Sequence, residues 1–370
     1  MTSELLSHNE TDIVSDSRSG NKANSFLPAT SVCVVGLGYI GLPTASILAS
    51  KGYQVAGVDV RDDVVETINR GEIHIEEPDL DVLVKAVVAN NRLKAIREPQ
   101  PADVFIICVP TPFTADRRPD LSYVEKAAQA IRPHVRKGNL IILESTSPPR
   151  TTEDVVARNA IPPELVVGKD VFVAHCPERV LPGRILIEAV ENDRVVGMTP
   201  GCTRKAKSFY RTFVTGEVLA TTAVAAELTK LVENSFRDVN IAFANELSIL
   251  CDKFGVDTWE IIEMANRHPR VNILSPGPGV GGRCIRVEAW WLVDAAPELT
   301  HLMRTGGEGK ESKPQAEPVV DQLQIVHVQD RQTDVAARAS RLGDLALEDL
   351  LQDAPVHESG ELIFGTDLQI

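Results

Sequence analysis

The sequence predicts an α/β protein in which a doubly wound parallel sheet is followed by an all-α domain built around one long helix. Short apolar segments alternate with helical stretches such as residues 122–134, and this alternation is typical of a parallel sheet covered on both faces. No proline occurs from Ala223 to Lys253, where apolar residues recur every three or four positions, which predicts a single helix crossing between two domains. The strand-like segments are VFIICV (104–109), LIILES (140–145), VFVAHC (171–176) and RVVGM (194–198).

Shifts in composition divide the chain into four segments. The N-terminal leader is polar, rich in Ser and Asn and without periodicity, so we expect it to be disordered. The C-terminal tail is acidic, with ten Asp or Glu against three Arg between residues 321 and 370. The predicted segments are the leader (1–30), the sheet domain (31–220), the helical domain (221–314) and the tail (315–370).

Charge and cysteine content exclude several classes of function. A formal net charge of -14 disfavours a nucleic-acid partner, because phosphate backbones are bound by clustered Lys and Arg. No apolar run is long enough to span a bilayer, and the N-terminus lacks the pattern of a signal peptide, so we expect a cytoplasmic protein without membrane association. The six cysteines form no CxxC pair, which argues against a disulfide framework and against a metal site.

The first ordered unit, residues 31–60, reads as strand, glycine turn, helix and strand. Gly36, Gly38 and Gly41 have the GxGxxG spacing, which allows a tight turn and close approach of a pyrophosphate. Asp59 ends the second strand, where a carboxylate accepts hydrogen bonds from the ribose of NAD and repels the extra phosphate of NADP. We therefore favour a Rossmann-like NAD-binding domain over a purely structural glycine turn.

Three further turns follow strands of the predicted sheet. Ligands in such sheets bind beyond the carboxyl ends of the strands, so these turns are candidates for the walls of a cleft. Any one of them alone reads more simply as a proline turn with a polar cap. The turns are Pro110-Thr111-Pro112, Ser145-Thr146-Ser147-Pro148 and Cys176-Pro177-Glu178-Arg179.

Two features of the helical domain have chemical character. Lys230, Asn234 and Arg237 are spaced by four and three, so they share one face of the long helix, although such a stripe is often only a solvated surface. Cys284 lies in PGPGVGGRCI, where glycines allow close approach of a substrate to the thiol. A nicotinamide dehydrogenase with such a thiol suggests that an aldehyde is trapped as a thiohemiacetal, oxidised to a thioester and hydrolysed.

Taken in order and spacing, the motifs resemble the UDP-glucose/GDP-mannose 6-dehydrogenase family over about residues 31–323. Within that family, the segments ENSFRDVNIAFANELS and ANRHPRVNILSPGPGVGG resemble most closely the UDP-N-acetyl-D-mannosamine dehydrogenases. The motifs are GLGYIGLP (36–43), VPTP (109–112), STSP (145–148), CPER (176–179), AELTK (226–230), EN (233–234) and GGRC (281–284).

The resemblance implies oxidation of the C6 alcohol of a UDP-sugar to a carboxylate by two hydride transfers to NAD, for surface polysaccharide biosynthesis. It assigns Cys284 as the nucleophile, Lys230 and Asn234 as oxyanion stabilisers, and Thr146 and Glu178 as groups that position or activate water. Glu288 takes the place of an aspartate that holds a water near the alcohol. The implied cofactor contacts are Gly36, Gly38, Tyr39, Ile40, Gly41, Asp59, Thr111 and Thr146, and the implied substrate contacts are Lys230, Asn234, Arg237, Arg270, Asn272 and Gly281.

The resemblance also implies a homodimer formed through the long helix. The family's third domain, which closes over UDP, has no recognisable signature after Pro314, so we expect it to be truncated or replaced. Arg150 stands where the family has a glycine, and Glu288 is one methylene longer than the family's aspartate. These departures favour one alternative, a relative of low or no activity that acts as an NAD-binding or oligomerising subunit.

Two other choices remain open from the sequence. A simple hydroxyacid dehydrogenase shares the architecture, but that function leaves the cysteine loop unexplained. Product stoichiometry separates the possibilities, because the double oxidation gives two NADH per sugar, a simple oxidation one, and an inactive relative none.

The identity of the UDP-sugar is open between the N-acetyl-mannosamine and N-acetyl-glucosamine derivatives. A binding pocket distinguishes such sugars by only about 1 to 3 kcal/mol.

Overall fold

The computed structural model describes residues 30–114, 118–276 and 291–292. The strands are β1 (Ser31–Val35), β2 (Gln54–Val58), β3 (Leu93–Ile96), β4 (Val104–Ile107), β5 (Leu140–Leu143), β6 (Phe172–His175), β7 (Arg194–Gly197) and β8 (Val218–Thr221). The helices are α1 (Gly41–Ser50), α2 (Asp62–Asn69), α3 (Leu80–Ala89), α4 (Ser122–Ile131), α5 (Arg158–Ala160), α6 (Ile185–Glu191), α7 (Pro200–Tyr210), α8 (Ala223–Phe254) and α9 (Thr258–Ala265). A 3-10 turn (Arg132–His134) follows α4, and a π-helical stretch (Thr152–Ala157) leads into α5.

The eight strands form one sheet in the order β3-β2-β1-β4-β5-β6-β7-β8. The strand order reverses direction between β1 and β4, so a crevice opens beyond the carboxyl ends of these strands, where ligands bind in such folds. The strands on both sides of the crevice are parallel, which confirms the predicted doubly wound sheet.

One pair of strands departs from the predicted parallel arrangement. β7 runs antiparallel to β6 and pairs with it only through His175 and Gly197. Because β7 starts beyond the carboxyl end of β6, continuing this register by three residues sets Glu178 opposite Arg194. The antiparallel strand therefore extends the sheet beyond the carboxyl end of β6.

Apolar layers cover both faces of the sheet. Alternate residues of β1 belong to opposite layers, with Val32 and Val34 on one face and Cys33 and Val35 on the other. Burial on both faces explains why the central strands are apolar without alternation. The core of this domain is thus the apolar sheet between two sets of helices.

The long helix predicted over residues 223–253 is confirmed as α8, which ends at Phe254. The Thr222 side chain accepts a hydrogen bond from the Ala225 amide at its start, and Gly255 ends it in a left-handed conformation with φ 68°. α8 packs on β6, β7 and the π-helical stretch. None of the helices in the described ranges is long and apolar enough to cross a membrane.

Candidate active site

The glycine turn between β1 and α1 is built by close backbone contacts. Gly36 has φ +96°, and a Cβ at this position would lie 2.5 Å from the Cys108 carbonyl oxygen. A Cβ on Gly41 would clash with the Gly36 carbonyl oxygen, whereas a Cβ on Gly38 would meet nothing within 4 Å. Two glycines therefore allow the turn to fold, and Gly38 leaves open space where a pyrophosphate would approach.

The surroundings of this turn fit a dinucleotide. α1 begins at Gly41 without a side-chain cap and without an acidic residue in its first turn, so its positive end is available to a phosphate. Asp59 follows β2 and accepts hydrogen bonds from the amides of Leu37 (3.1 Å) and Arg61 (3.0 Å), which fix its carboxylate beside the turn. Tyr39 is exposed and Ile40 is half-buried.

The turns after β4 and β5 are joined by side-chain hydrogen bonds. Thr111 Oγ1 donates to the carbonyl oxygen of Thr146 at 2.8 Å, and Ser145 Oγ donates to that of Val109 at 2.8 Å. Both predicted cofactor threonines thus lie together at the carboxyl edge of the sheet, on adjacent strands. This arrangement agrees with the cleft expected from the sequence.

Glu178 follows β6 and forms a buried ion pair with Arg194. Its Oε2 accepts from Arg194 Nη1 at 2.9 Å, and its Oε1 accepts from the Arg179 amide at 2.7 Å. Burial lowers the pKa of Arg194. The nearby negative charges, including those of Glu178 and Glu144, together raise it by more, so the pKa lies above its ordinary value. The ion pair therefore holds the Glu178 carboxylate in one orientation.

A second buried carboxyl group, Glu144, lies directly after β5. It accepts hydrogen bonds from Tyr210 Oη at 2.6 Å, Cys108 Sγ at 3.4 Å and Thr44 Oγ1 at 3.5 Å. Burial raises the pKa of Glu144, and the charge of Arg194 opposes this shift. Glu144 thereby joins α1, α7 and the residue that follows β4.

The face of α8 predicted to bind substrate runs from the interior to the surface. Lys230 is half-buried, Asn234 is 4% exposed and Arg237 is exposed. Two ties hold this helix to the sheet edge: Glu227 accepts hydrogen bonds from the loop after β5, and Glu233 forms a bidentate ion pair with Arg179 at 2.6 and 3.1 Å. These ties bring the helix bearing Lys230 and Asn234 to the loops bearing Thr146 and Glu178.

Two asparagine side chains hold the segment after α9, one from α8 and one from the end of α9. Asn240 contacts the Asn272 carbonyl at 3.1 Å and the Leu274 amide at 2.8 Å. Asn266 binds both the amide and the carbonyl of Ile273, at 2.7 and 3.0 Å. Asn272 and the nearby Arg270 are exposed. Asn240, the α8 residue that binds this segment, lies one helical turn beyond Arg237.

Three predicted site residues, Gly281, Cys284 and Glu288, lie outside the described residues. The five described cysteines are free thiols. Burial raises the pKa of Cys33 to about 11 and that of Cys176 to about 12, so these thiols are protonated and unreactive at neutral pH. Within the described ranges, no group of His, Cys, Asp and Glu could hold a metal ion.

Sequence reasoning missed Glu144, Arg194 and Glu227. Two of them occupy strand ends in the sequence, since Glu144 closes LIILE and Arg194 opens RVVG. Glu227 stands one helical turn before Lys230, a spacing that places it on the same face. A charged residue at the end of a buried apolar strand is the signal that a sequence offers for such groups.

An open glycine turn at a helix N-terminus, with a carboxylate after the second strand, defines an NAD-dependent dehydrogenase. Residues 30–214 match the NAD-binding domain of the UDP-glucose/GDP-mannose dehydrogenase family, and residues 224–308 match its central domain. The chain belongs to the UDP-glucose/GDP-mannose dehydrogenase family, whose members oxidise nucleotide sugars.

Individual relatives span most of the described residues. The chain is 56% identical over 291 residues to an NDP-N-acetyl-D-galactosaminuronic acid dehydrogenase of Ralstonia solanacearum, covering 76% of this chain and 69% of the relative. It is 50% identical over 347 residues to the UDP-N-acetyl-D-mannosamine dehydrogenase of Escherichia coli K12, covering 90% and 82%. The solved UDP-D-ManNAc dehydrogenase of Pyrococcus horikoshii is 44% identical with a TM-score of 0.72, covering 75% of this chain and 67% of that one.

Proposed function

We propose that the chain oxidises the C6 hydroxyl of a UDP-N-acetylhexosamine, namely UDP-N-acetyl-D-mannosamine, to the carboxylate of UDP-N-acetyl-D-mannosaminuronate. NAD, when bound, accepts the two hydrides that this oxidation removes. One alcohol, one water and two NAD give one carboxylate, two NADH and three protons. The observation that supports this proposal most strongly is that α8, with Lys230 and Asn234, is tied at Glu227 and Glu233 to the loops after β5 and β6.

In the proposed chemistry, the thiolate of Cys284 adds to the C6 aldehyde and forms a thiohemiacetal, whose oxidation leaves a thioester. Lys230 and Asn234 donate hydrogen bonds to the oxygen that carries negative charge in these steps. Water then attacks the thioester carbon, and the thiolate leaves. Glu288 lies four residues beyond Cys284 and would hold a water near the C6 alcohol as base.

Thr146 and Glu178 would orient the water that hydrolyses the thioester. The ion pair with Arg194 holds the Glu178 carboxylate in one orientation, in which its oxygens can accept a hydrogen bond from water. Thr146 lies just after the adjacent strand β5, beside Thr111. The proposed role of both residues is therefore to position water.

The proposed substrate rests on the names of the relatives and on donors beside α8. Relatives named for UDP-N-acetyl-D-mannosamine and for N-acetyl-D-galactosaminuronic acid both act on an N-acetylated sugar nucleotide. Arg237, Arg270 and Asn272 would supply directed donors for the diphosphate and the N-acetyl group, with Gly281 close to the sugar. The product would serve surface polysaccharide biosynthesis in the cytoplasm.

We further propose that two copies associate through α8. Exposed apolar side chains recur along this helix at spacings of four and seven, which form one stripe on its surface. Exposed stripes of this kind usually mark an interaction surface. The stripe consists of Val232, Phe236, Phe243, Leu250 and Phe254, of which Phe254 is 75% exposed.

Initial rates with a panel of UDP-sugars test the proposed function. With saturating NAD, we expect kcat/KM for UDP-N-acetyl-mannosamine to exceed that for the N-acetyl-glucosamine, N-acetyl-galactosamine and glucose derivatives by about tenfold or more. Lys230→Met should lower kcat at least about 100-fold, while Lys253→Met, at the exposed far end of the same helix, should not. An equal or higher kcat/KM with another sugar would contradict the assigned substrate.

A further inference from the structure

Glu227 lies fully buried in the first turns of α8, against the loop that follows β5. Its side chain is 0% exposed and accepts three hydrogen bonds from that loop. Oε2 accepts from the Arg150 amide at 2.6 Å, and Oε1 accepts from the Thr152 amide at 2.8 Å and from Thr152 Oγ1 at 2.7 Å. Both carboxylate oxygens therefore accept a backbone amide of one short loop, and Oε1 also accepts a side-chain hydroxyl group.

The backbone of this loop is shaped to meet the carboxylate. Arg150 has φ 75°, a left-handed conformation that costs a non-glycine residue about 1 kcal/mol or more. Its guanidinium pairs with Asp154 at 2.9 Å, while its amide donates to Glu227. A strained residue held by a buried acceptor indicates that the position of this loop is specified by Glu227.

The loop and the helix each bear part of the proposed site. Thr146 precedes Arg150 by four residues along the loop, and Lys230 and Asn234 follow Glu227 by three and seven residues along α8. Residues at these helical spacings share one face. The Glu227 contacts therefore set the distance between the cofactor side and the oxyanion-binding side of the cleft.

We propose that Glu227 is a positioning residue that fixes Lys230 and Asn234 relative to the loop carrying Thr146. The roles assigned to those three residues rest on the proposed function, whereas the hydrogen bonds between Glu227 and the loop do not. A glutamine at this position has only one acceptor oxygen, and its amide group would face a donor. The loop would then lose at least one hydrogen bond and move relative to α8.

Glu227→Gln should lower kcat about 10- to 100-fold, with the KM for the UDP-sugar changed less than threefold. Hydrogen exchange should quicken at the amide of Arg150 or Thr152 that faces the glutamine nitrogen, since that amide loses its acceptor. Thr152→Val removes only the hydroxyl donor and should lower kcat more mildly. Its effect should be non-additive with Glu227→Gln, because both act on the same contact.

Glu77→Gln serves as the matched control. Glu77 is also buried and accepts two backbone amides, from Gly183 at 2.8 Å and Ile185 at 2.7 Å, but it does not contact residues 150–152. We expect this variant to lose stability without faster exchange at Arg150 and Thr152.

Unchanged kcat in folded Glu227→Gln would overturn the positioning role, as would unchanged exchange at these two amides. A parent chain that produces no NADH from any sugar would instead contradict the proposed function. In that case, NAD affinity and hydrogen exchange still test the positioning role of Glu227. A Glu227→Gln protein with the parental NAD affinity and the parental exchange rates would overturn that role. Changed values of both quantities would support it.

Discussion

Buried ionisable side chains gather where β5 and β6 end. Glu144, Glu178 and His175 are all buried, and Arg194 on the antiparallel strand pairs with Glu178. Such groups cost several kcal/mol to bury and are concentrated at functional sites. The sequence indicated Glu178 through its turn, but not the partner, because the pairing depends on the direction of β7.

Of these buried groups, His175 is the one whose burial clearly makes folding stability depend on pH. Neither ring nitrogen has a hydrogen-bond partner among the described residues, and burial lowers the pKa of His175 to about 3. Below a pH of about 6.5 the unfolded chain binds a proton at this residue that the folded chain does not. Stability is therefore lost as the pH falls from about 6.5 towards 3.

His175→Gln should remove this component of acid sensitivity. The free energy of unfolding, measured with urea between about pH 4 and pH 7.5, should fall less steeply in the variant, by up to about 1.4 kcal/mol per pH unit. His268→Gln, which changes an exposed histidine, is the control and should keep the parental slope. A parallel slope in His175→Gln would show that this side chain is protonated in the folded state.

At the scale of elements, the central strands and the long helix were predictable, whereas the edge strands were not. β3 and β8 are the two edges of the sheet, and each is only four residues long with partly exposed side chains. An edge strand buries less apolar surface, so its sequence carries a weaker pattern. The π-helical stretch after the Glu227-bound loop likewise has no signal in its sequence.

The glycine turn makes a prediction about two neighbouring glycines. Gly38→Ala meets open space, so the free energy of unfolding should change by less than about 1 kcal/mol, while NAD affinity should fall about tenfold or more. Gly41→Ala places a Cβ against the Gly36 carbonyl and should lower both stability and NAD affinity. Calorimetric titration with NAD and urea unfolding measure the two effects. Equal NAD affinities for Gly38→Ala and the parent would contradict the assigned pyrophosphate position.

At the scale of the whole molecule, the site is composed of one sheet edge and one helix. The alternation of strands and helices along the chain and the length of α8 could be predicted from apolar patterning. The resemblance of the motifs then assigned roles to residues of the sheet edge and of the helix. The ties at Glu227 and Glu233 could not be predicted, because a glutamate on a helix reads as a solvated side chain until its tertiary partner is known. The tie at Glu227 is the structural feature that the sequence concealed.

The apolar stripe on α8 predicts the effect of charge on association. The parent chain should have a native mass of about twice its 40.3 kDa, measured by light scattering after gel filtration. Phe236→Glu combined with Phe243→Glu should shift this mass towards one chain, because both exposed rings would be replaced by charges. Phe113→Glu changes another exposed phenylalanine outside α8 and should leave the mass unchanged. A parent of single-chain mass, or a double variant of unchanged mass, would contradict association through this helix.

The ratio of NADH formed to UDP-N-acetyl-mannosamine consumed tests the proposed double oxidation most directly. We expect two NADH per sugar and a uronate product from the parent chain. Cys284→Ser should release no more than one NADH per sugar and form no acid, because the thioester requires the thiol. One NADH per sugar from the parent, or an acid product from Cys284→Ser, would contradict a cysteine-dependent oxidation to the carboxylate.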